Sequence, residues 1–263
     1  MSNVGKYLGY IVIGALIIFI LAPILIIIPV SFGANAMFTF PPKEWSFANY
    51  TALVNDSRML SSVWLSIYVA IASVIIACLI GVCSALGIVK GRMPFSHFLE
   101  SFFLGPLIVP FVTTGIGLLI FFVSIGLVGT SISIIFAHSV IISPYVVRIA
   151  IASLRHSDPT LEEVAIVHGA SGWYTFKTVV LPQLRPAIIS GSLLAFLVSI
   201  DEYTVTIFLA QADTITLPIR IFQYVTLDIN PVVTALSSVT VILSFILVFI
   251  LEKKFKVHKY LEF

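Results

Sequence analysis

Long, predominantly apolar runs make up most of this sequence. Six of them lie at approximately 8–31, 61–89, 98–124, 131–152, 187–210 and 233–251. The hydrocarbon core of a bilayer is about 30 Å thick and an α-helix rises about 1.5 Å per residue, so roughly 20 apolar residues cross it as a helix. The sequence therefore predicts an all-α membrane protein with six transmembrane helices.

Composition agrees with a membrane protein and excludes several other classes. Hydrophobic residues make up 59% of the 263 residues and charged residues 10%, where a soluble globular domain has about 25% charged residues. The formal net charge of +2 is too small to indicate a nucleic-acid partner, and the histidines and cysteines have no metal-ligand spacing. Cys78 and Cys83 lie about 140° apart on a helix, which excludes a disulfide within that helix.

The first run resembles a signal peptide in its flanks. Lys6 precedes it, and Ala34, Asn35 and Ala36 follow it in the manner of a signal-peptidase site. A signal h-region has about 7 to 15 residues, whereas the run at 8–31 has 24. We therefore expect an uncleaved first helix.

Prolines and glycines interrupt the third run. Pro106, Pro110, Gly115 and Gly117 all fall within it. Proline has no backbone N–H and breaks helical hydrogen bonding, so we expect this helix to be kinked and closely packed by neighbours that satisfy the freed carbonyls.

Basic residues are distributed unevenly between the two ends of the runs. With the N-terminus placed inside, eleven lysines and arginines flank the inner ends and three flank the outer ends, as the positive-inside rule requires. Both termini are therefore predicted to be cytoplasmic. The inner set is Lys6, Lys90, Arg92, Arg148, Arg155, Lys177, Arg185, Lys253, Lys254, Lys256 and Lys259, and the outer set is Lys43, Arg58 and Arg220.

A charged, amphipathic loop lies between the fourth and fifth runs, on the predicted inner side. Asp158 and Pro159 are typical of a helix start, and Glu162 and Glu163 then lie near the positive end of the helix dipole. Gly169 suits the left-handed position that ends a helix. The loop therefore begins with a short helix, on which Leu161, Val164, Ala165 and His168 are expected to share a face.

A second short helix follows in the same loop. Ser171 is its candidate cap, and Leu181 with Pro182 is expected to stop it. Trp173, Phe176 and Val180 are expected to share one of its faces.

Two interpretations fit an amphipathic loop helix at a membrane surface. One is a helix lying on lipid headgroups, but such helices carry basic polar faces and this one carries Glu162 and Glu163. The other is a helix that binds a protein on the cytoplasmic side, and the acidic residues favour it.

The loop resembles a known family in its residues and spacing. Its elements Glu163, Ala165, Gly169, Val179, Leu181 and Pro182 are similar to the EAA signature of membrane permeases in bacterial binding-protein-dependent ABC importers, E-A-A, three residues, G, nine residues, I-x-L-P. Two positions differ: Val164 replaces the first alanine and Val179 replaces isoleucine.

This resemblance implies a fold and a set of partners. The fold would be the type I ABC importer permease fold, and the loop at 155–186 would contain a cytoplasmic coupling helix between helices four and five. The coupling residues would be Glu162, Glu163, Ala165, Gly169, Ala170, Leu181 and Pro182. The partners would be a second homologous permease, two ATP-binding subunits, a periplasmic or surface substrate-binding protein, and membrane lipid.

The resemblance also implies that a partner subunit, and not this chain, hydrolyses ATP. The sequence has no Gly-rich phosphate loop, so ATP and Mg would be bound by the partner ATPase, with no cofactor in this chain. The protein would be a multi-pass protein of the bacterial cytoplasmic membrane and not an enzyme. Its parts would be 1–57, a first helix with an outer segment; 58–252, a five-helix permease core; and 253–263, a basic cytoplasmic tail that anchors to headgroups.

Two adjacent carboxylates, Asp201 and Glu202, fall inside the fifth predicted helix, with Asp201 roughly 21 Å from its inner end. Ionisable residues at such depth are costly and rarely face lipid, so one or both are candidates for lining a translocation path. The alternatives are a carboxylate paired with Arg148 or Arg220, or a helix that ends early and leaves both groups interfacial. Adjacent residues diverge by about 100° on a helix, so the two cannot face one partner.

The surrounding segment is similar to the second permease of spermidine/putrescine importers. The matching residues are Ser199, Asp201, Glu202, Leu217, Pro218 and Pro231. A polyamine is therefore the implied substrate, and acidic groups facing a polycation agree with it electrostatically. Permeases for ferric iron, thiamine and phosphonate share part of the pattern and are the alternatives.

Neighbouring polar residues extend the candidate path. Tyr203 and Thr204, with Thr206, offer hydrogen bonds or an aromatic face to an ammonium group. His138 in the fourth run is either a proton relay or a histidine hydrogen-bonded across a helix interface.

Other functional classes fit less well. An inverted-repeat secondary transporter has paired interrupted helices, and this sequence has one heavily interrupted helix. An intramembrane enzyme requires a nucleophile with a base, or metal-binding motifs, in facing helices, and the sequence shows neither.

Overall fold

The computed structural model describes residues 3–34, 39–91, 95–227 and 230–255. These residues form helices and their connections, with one isolated bridge between Gly33 and Trp45, which confirms the predicted all-α class. The helices are α1 (Asn3–Ser31), α2 (Ala48–Asn55), α3 (Ser57–Lys90), α4 (Ser96–Leu104), α5 (Phe111–Ser124), α6 (Ser131–His156), α7 (Thr160–Val167), α8 (Gly172–Thr175), α9 (Leu181–Ile200), α10 (Thr206–Leu209), α11 (Leu217–Thr226) and α12 (Val232–Phe255).

Some sequence-based expectations concern residues beyond those described. They are Asn35 and Ala36 of the signal-peptidase-like sequence, the inner basic residue Arg92, and residues 256–263 of the basic tail.

Within the described residues, four segments are long and apolar enough to cross a membrane: Gly9–Ser31, Ser57–Lys90, Ser131–His156 and Gly172–Ile200. The α4–α5 pair is a fifth span if its two bent helices are counted as one. The apolar part of α12, Val232–Ile246, is shorter. The described residues therefore contain four or five segments that can cross a membrane by length and composition, which makes the chain a multi-pass membrane protein.

The third predicted run is broken rather than merely kinked. The 3₁₀ turn Gly105–Leu107 follows α4, and α5 continues at an angle of 97° to the preceding segment. Pro110 precedes α5 with an extended ψ of 134°. Pro106 and Pro110 have no backbone N–H and cannot donate helical hydrogen bonds, and both lie at the bend between α4 and α5.

The chain divides into two compact units. The first consists of residues 1–60 and 221–250, and the second of residues 61–220 and 251–263. In the first unit, the Asn49 side-chain amide donates to the backbone oxygens of Ser31 (3.2 Å) and Gly33 (3.0 Å), so α2 is held against the end of α1.

In the second unit, α6 is the central helix and packs most extensively against α9. Gly81 on α3 and Gly191 on α9 both approach Val146 of α6. A Cβ at Gly81 would lie 2.6 Å from Val146 Cγ1, and one at Gly191 would lie 3.3 Å from Val146 Cα. These two glycines let α3 and α9 pack closely on α6, as small residues do between membrane helices.

The prediction that Leu181 and Pro182 stop the second loop helix is wrong. The helical path runs without a break from Gly172 to Ile200, through a π-helical turn at Phe176–Val180. A proline ring clashes with the carbonyl four residues earlier in an ordinary α-helix. The wider π turn ends directly before Leu181, so Pro182 lies in the first turn of α9, where proline is tolerated. The Gln183 side-chain amide donates to the Val179 carbonyl oxygen (3.1 Å).

Candidate functional site

The loop between α6 and α9 starts as the sequence predicts. Asp158 Oδ1 accepts hydrogen bonds from the Thr160 backbone N–H (2.9 Å) and from the Thr160 hydroxyl (2.7 Å). These bonds cap α7 and hold the pKa of Asp158 below its usual value. The Pro159 carbonyl then accepts from the N–H groups of Glu162 and Glu163 (3.1 and 3.2 Å), which closes the first turn.

The end of α7 is a Schellman motif centred on Gly169. Its φ is +83°, in the left-handed region, which confirms the sequence prediction. The Ala170 N–H donates to the Ala165 carbonyl (3.0 Å) and the Gly169 N–H donates to the Ile166 carbonyl (2.9 Å). This pair of bonds satisfies the last carbonyls of the helix and turns the chain sharply.

The predicted face of α7 is only partly observed. Glu162 and Ala165, three residues apart, are the half-buried positions of the helix, whereas Leu161, Val164 and His168 are exposed. The Glu162 carboxylate forms an ion pair with the Lys90 ammonium at the end of α3. Glu162 therefore faces the helical bundle, and Ala165 lies on the same side.

Several large apolar side chains of the loop are exposed. Among them, Leu161, Val164 and Val167 of α7 are 51%, 54% and 85% exposed, and Trp173 of α8 is 73% exposed. We call these four residues the loop patch. Glu163 is also exposed, so the two adjacent glutamates have different surroundings: Glu162 contacts this chain and Glu163 faces outward.

The second loop helix is capped as predicted. Ser171 Oγ accepts from the Tyr174 N–H (3.3 Å), and the rings of Trp173 and Phe176 stack at 5.5 Å. Val180 is buried with Leu184 in the apolar cluster at the end of α6, while Trp173 is exposed, so the predicted common face extends only from Phe176 to Val180. Of the remaining predicted coupling residues, Ala170, Leu181 and Pro182 are half-buried.

A second ion pair lies near the same end of the bundle. The Arg155 guanidinium at the end of α6 contacts both carboxylate oxygens of Glu100 on α4, at 3.2 and 2.6 Å. Paired N–H donors of this kind give a geometrically specific contact. The middle of α4 and the end of α6 are thus joined by a bidentate contact.

The other candidate site lies where the fifth predicted run stops being helical. The sequence predicts a helix through 210, but α9 ends at Ile200 and residues 201–205 are turn and irregular backbone before α10. We call residues 201–205 the interruption. The prediction that Asp201 and Glu202 lie on one continuous helix is therefore wrong. The observed end at Ile200 matches the early helix end of the alternative, whereas its interfacial placement of both carboxylates stays a prediction.

The two carboxylates of the interruption differ in role. Asp201 is exposed, whereas Glu202 is buried at 6% exposure. Glu202 Oε1 accepts a hydrogen bond of 2.7 Å from the Val205 N–H, three residues ahead. This bond holds the Glu202 carboxylate against the backbone directly before α10, whose N-cap residue is Val205. Tyr203 and Thr204 are half-buried beside it.

His138 of α6 is buried against the interruption. Its Nδ1 lies 2.7 Å from Ser199 Oγ and its Nε2 lies 2.8 Å from Thr206 Oγ1. The Thr206 hydroxyl donates to the Glu202 carbonyl (3.0 Å), so Thr206 Oγ1 accepts from a protonated Nε2 and Nδ1 accepts from Ser199. Both ring nitrogens are used, as in the sequence-based alternative of a histidine hydrogen-bonded across a helix interface.

Sequence reasoning missed the ion pair of Glu162 and offered an early end of the fifth helix only as an alternative. The sequence signal for the interruption is the pair of adjacent carboxylates at 201 and 202 within an apolar run, because ionisable groups are costly inside a spanning helix. Leu217 and Pro218 begin α11, and Pro231 immediately precedes α12.

Comparison with known proteins gives the class of this fold. Residues 77–256 match the family described as the binding-protein-dependent transport system inner membrane component. The chain belongs to this family, which is one of transport permeases, and the resemblance carried by the loop is confirmed.

Several of the relatives found are named as polyamine permeases. The chain is 33% identical to the putrescine transport system permease protein PotI of Escherichia coli, over 84% of this chain and 80% of the relative. It is 27% identical to the spermidine/putrescine transport system permease protein PotC of Escherichia coli, over 89% and 88%.

A solved structure shows the same fold. A chain of a bacterial ABC transporter involved in the import of the acidic polysaccharide alginate matches with a TM-score of 0.76 at 17% identity. The match covers 97% of this chain and 99% of that chain. The predicted type I ABC permease fold is therefore confirmed.

Proposed function

We propose that this chain is a transmembrane permease subunit of an ATP-driven importer and forms half of the translocation path for a polyamine such as spermidine or putrescine. The observation that carries the proposal is the similarity to two polyamine permeases over more than four-fifths of the chain. The other half of the path comes from a second homologous permease, and a periplasmic or surface binding protein delivers the substrate.

In this proposal the loop at 155–186 docks on a cytoplasmic ATPase subunit, two copies of which bind ATP and Mg. The loop patch supports it, since an exposed apolar surface on the charged, polar side of a membrane protein is typical of a protein interface. Val164 and Val167 would contact the partner, and Glu163 would lie at the edge of the interface. Glu162 would act within this chain, through Lys90.

The substrate path includes Asp201, Glu202, Tyr203 and Thr204. Irregular backbone within a membrane segment is tolerated where it is buried in protein or lines a water-filled cavity, and interrupted helices commonly carry substrate sites. Asp201 is the exposed carboxylate of the interruption and would attract an ammonium group. Glu202 would contribute mainly by holding α10 in place.

The proposed topology has six spans with both termini in the cytoplasm of a bacterial cell, the protein lying in the cytoplasmic membrane. Lys90 and Arg155, both assigned to the inner side, pair with Glu162 and Glu100, which lie in or next to inner connections. The proposed parts remain 1–57, 58–252 and 253–263.

Reconstitution tests the proposed function directly. The complete importer in liposomes is expected to take up radiolabelled putrescine or spermidine only with ATP and binding protein. Uptake by this chain alone would refute the proposal in favour of an ATP-independent secondary transporter. If the binding protein of the complex retains ferric iron, phosphonate or thiamine and no polyamine, the substrate assignment is wrong.

Substitutions at the interruption separate the two carboxylates. Asp201→Asn is expected to lower polyamine uptake without affecting assembly, because it removes the exposed charge. Glu202→Gln keeps an oxygen that accepts from the Val205 N–H and is expected to assemble normally, whereas Glu202→Ala loses that bond and is expected to assemble poorly. Unchanged uptake in Asp201→Asn would remove Asp201 from the path.

A further inference from the structure

The interruption is bridged by a side chain from another helix. Ser199 lies in the last turn of α9 and Thr206 is the first residue of α10, so they stand on opposite sides of residues 201–205. His138 of α6 bonds both, at 2.7 and 2.8 Å. A single imidazole thus connects the two helical ends that the interruption separates.

The bridge is rigid for physical reasons. His138, Ser199 and Thr206 are all nearly fully buried, so water does not compete for their hydrogen bonds. An imidazole is planar and its two nitrogens have a fixed separation, which leaves little freedom to the two hydroxyls that bond them. Thr206 also donates to the Glu202 carbonyl, so the bridge extends into the interruption itself.

The groups exposed by the interruption lie between the two bridged ends. Asp201 follows Ser199 by two residues, and its backbone conformation depends on how α9 ends. Within the interruption the Glu202 N–H donates to the Ser199 carbonyl (3.4 Å) and the Val205 N–H donates to Glu202 Oε1 (2.7 Å). The bonds of His138 at the two ends add to these in defining where this backbone lies. The position of the Asp201 carboxylate therefore depends on His138, which lies on a different helix.

We propose that His138 is a positioning residue of the translocation path: by bonding Ser199 and Thr206 it sets the position of Asp201 and thereby the affinity for a cationic substrate. This inference rests on the proposed function for its substrate. The bridge itself follows from the geometry alone.

The test uses the complete importer in liposomes and measures the KM and maximal rate of putrescine uptake. Ser199→Ala removes one bond of the bridge, and Thr206→Val removes the other. Both are expected to raise KM about threefold to tenfold, the effect of losing one buried hydrogen bond, with a nearly unchanged maximal rate. Thr206→Ser keeps the hydroxyl and is expected to retain the wild-type KM.

Ser190→Ala is the matched control. Ser190 is a buried serine on α9, like Ser199, but its hydroxyl has no hydrogen-bond partner in the described part of the chain. The substitution is therefore the same chemical change on the same helix without loss of the bridge. It is expected to leave KM unchanged.

A second measurement does not depend on the solute carried. Asp201→Cys is prepared in a background lacking the native thiols, Cys78→Ala with Cys83→Ala, and its reaction rate with a charged methanethiosulfonate reagent is measured. Adding Ser199→Ala or Thr206→Val is expected to change this rate at least threefold, and adding Ser190→Ala is not.

The outcomes separate the two proposals. An importer that takes up no polyamine, with labelling rates that change as expected, refutes the substrate and retains the bridge. Unchanged KM and unchanged labelling in Ser199→Ala and Thr206→Val would overturn the inference. A lower yield of assembled importer whose KM is unchanged would also overturn the inference, because that result indicates a purely structural role. An effect of Ser190→Ala equal to that of Ser199→Ala would overturn it for the same reason.

Discussion

Replacement of Gly169 by alanine is the sharpest test of the coupling loop. Gly169 has a φ of +83°, and a Cβ built there meets nothing within 4 Å. The cost of Gly169→Ala therefore comes from the backbone conformation alone. For an L-residue this cost is roughly 1–2 kcal/mol, which reduces the population of the intact helix end by a factor of about 5–30.

The consequence is expected at the loop and not in the membrane. The two Schellman hydrogen bonds, from Gly169 and Ala170, hold the turn that separates α7 from α8. When this turn opens, the loop patch is divided, because Trp173 follows the turn and Leu161, Val164 and Val167 precede it. ATPase docking should weaken while insertion of the chain stays normal.

Gly172→Ala is the matched control for this substitution. Gly172 is the first residue of α8, and its φ is not in the left-handed region. A Cβ built at Gly172 also meets nothing within 4 Å. Alanine is favoured over glycine in a helix by up to about 1 kcal/mol, so this variant is expected to couple at least as well as the wild type.

The assay compares transport with hydrolysis. Membrane insertion, co-purification of the ATPase, and putrescine taken up per ATP hydrolysed are measured for both variants in the complete importer. Gly169→Ala is expected to lower the uptake per ATP severalfold, and Gly169→Asn less, because asparagine tolerates the left-handed region. Wild-type coupling in Gly169→Ala would refute the role assigned to the turn.

Two further predictions concern contacts within the second unit. Lys90→Glu and Glu162→Lys are each expected to lower uptake per ATP by up to about fivefold, and the double variant is expected to recover it. Glu163→Lys is the control, and adding Lys90→Glu is not expected to rescue it. Failure of the Lys90→Glu/Glu162→Lys double variant to recover would show that the ion pair has no part in coupling. Gly81→Ala places a Cβ 2.6 Å from a valine side chain of α6 and is expected to destabilise the protein by about 1–3 kcal/mol in thermal unfolding. Gly117→Ala is the control and is not expected to destabilise it, because a Cβ at Gly117 meets nothing within 4 Å. Equal melting temperatures of the two variants would contradict the close packing at Gly81.

The sequence was sufficient to predict features that depend on residues close together in the chain. The apolar runs predicted most of the membrane helices because the length of a spanning helix depends only on bilayer thickness. Asp158, Gly169 and Ser171 were assigned correctly to helix ends, since a cap bonds backbone groups two to five residues away. The motif of the loop identified the family.

The tertiary structure decided what each charged or polar side chain meets. Adjacent glutamates have the same local sequence signals, yet Glu162 contacts Lys90, which is 72 residues away, and Glu163 is exposed. Beside the end of α9 at Ile200, Glu202 accepts from the Val205 N–H, and His138 contacts Ser199, which lies 61 residues further along the chain. Helix periodicity gives the direction in which a side chain points around the axis of its own helix. The roles of these residues depend instead on where a different helix lies, and only packing in three dimensions determines that position.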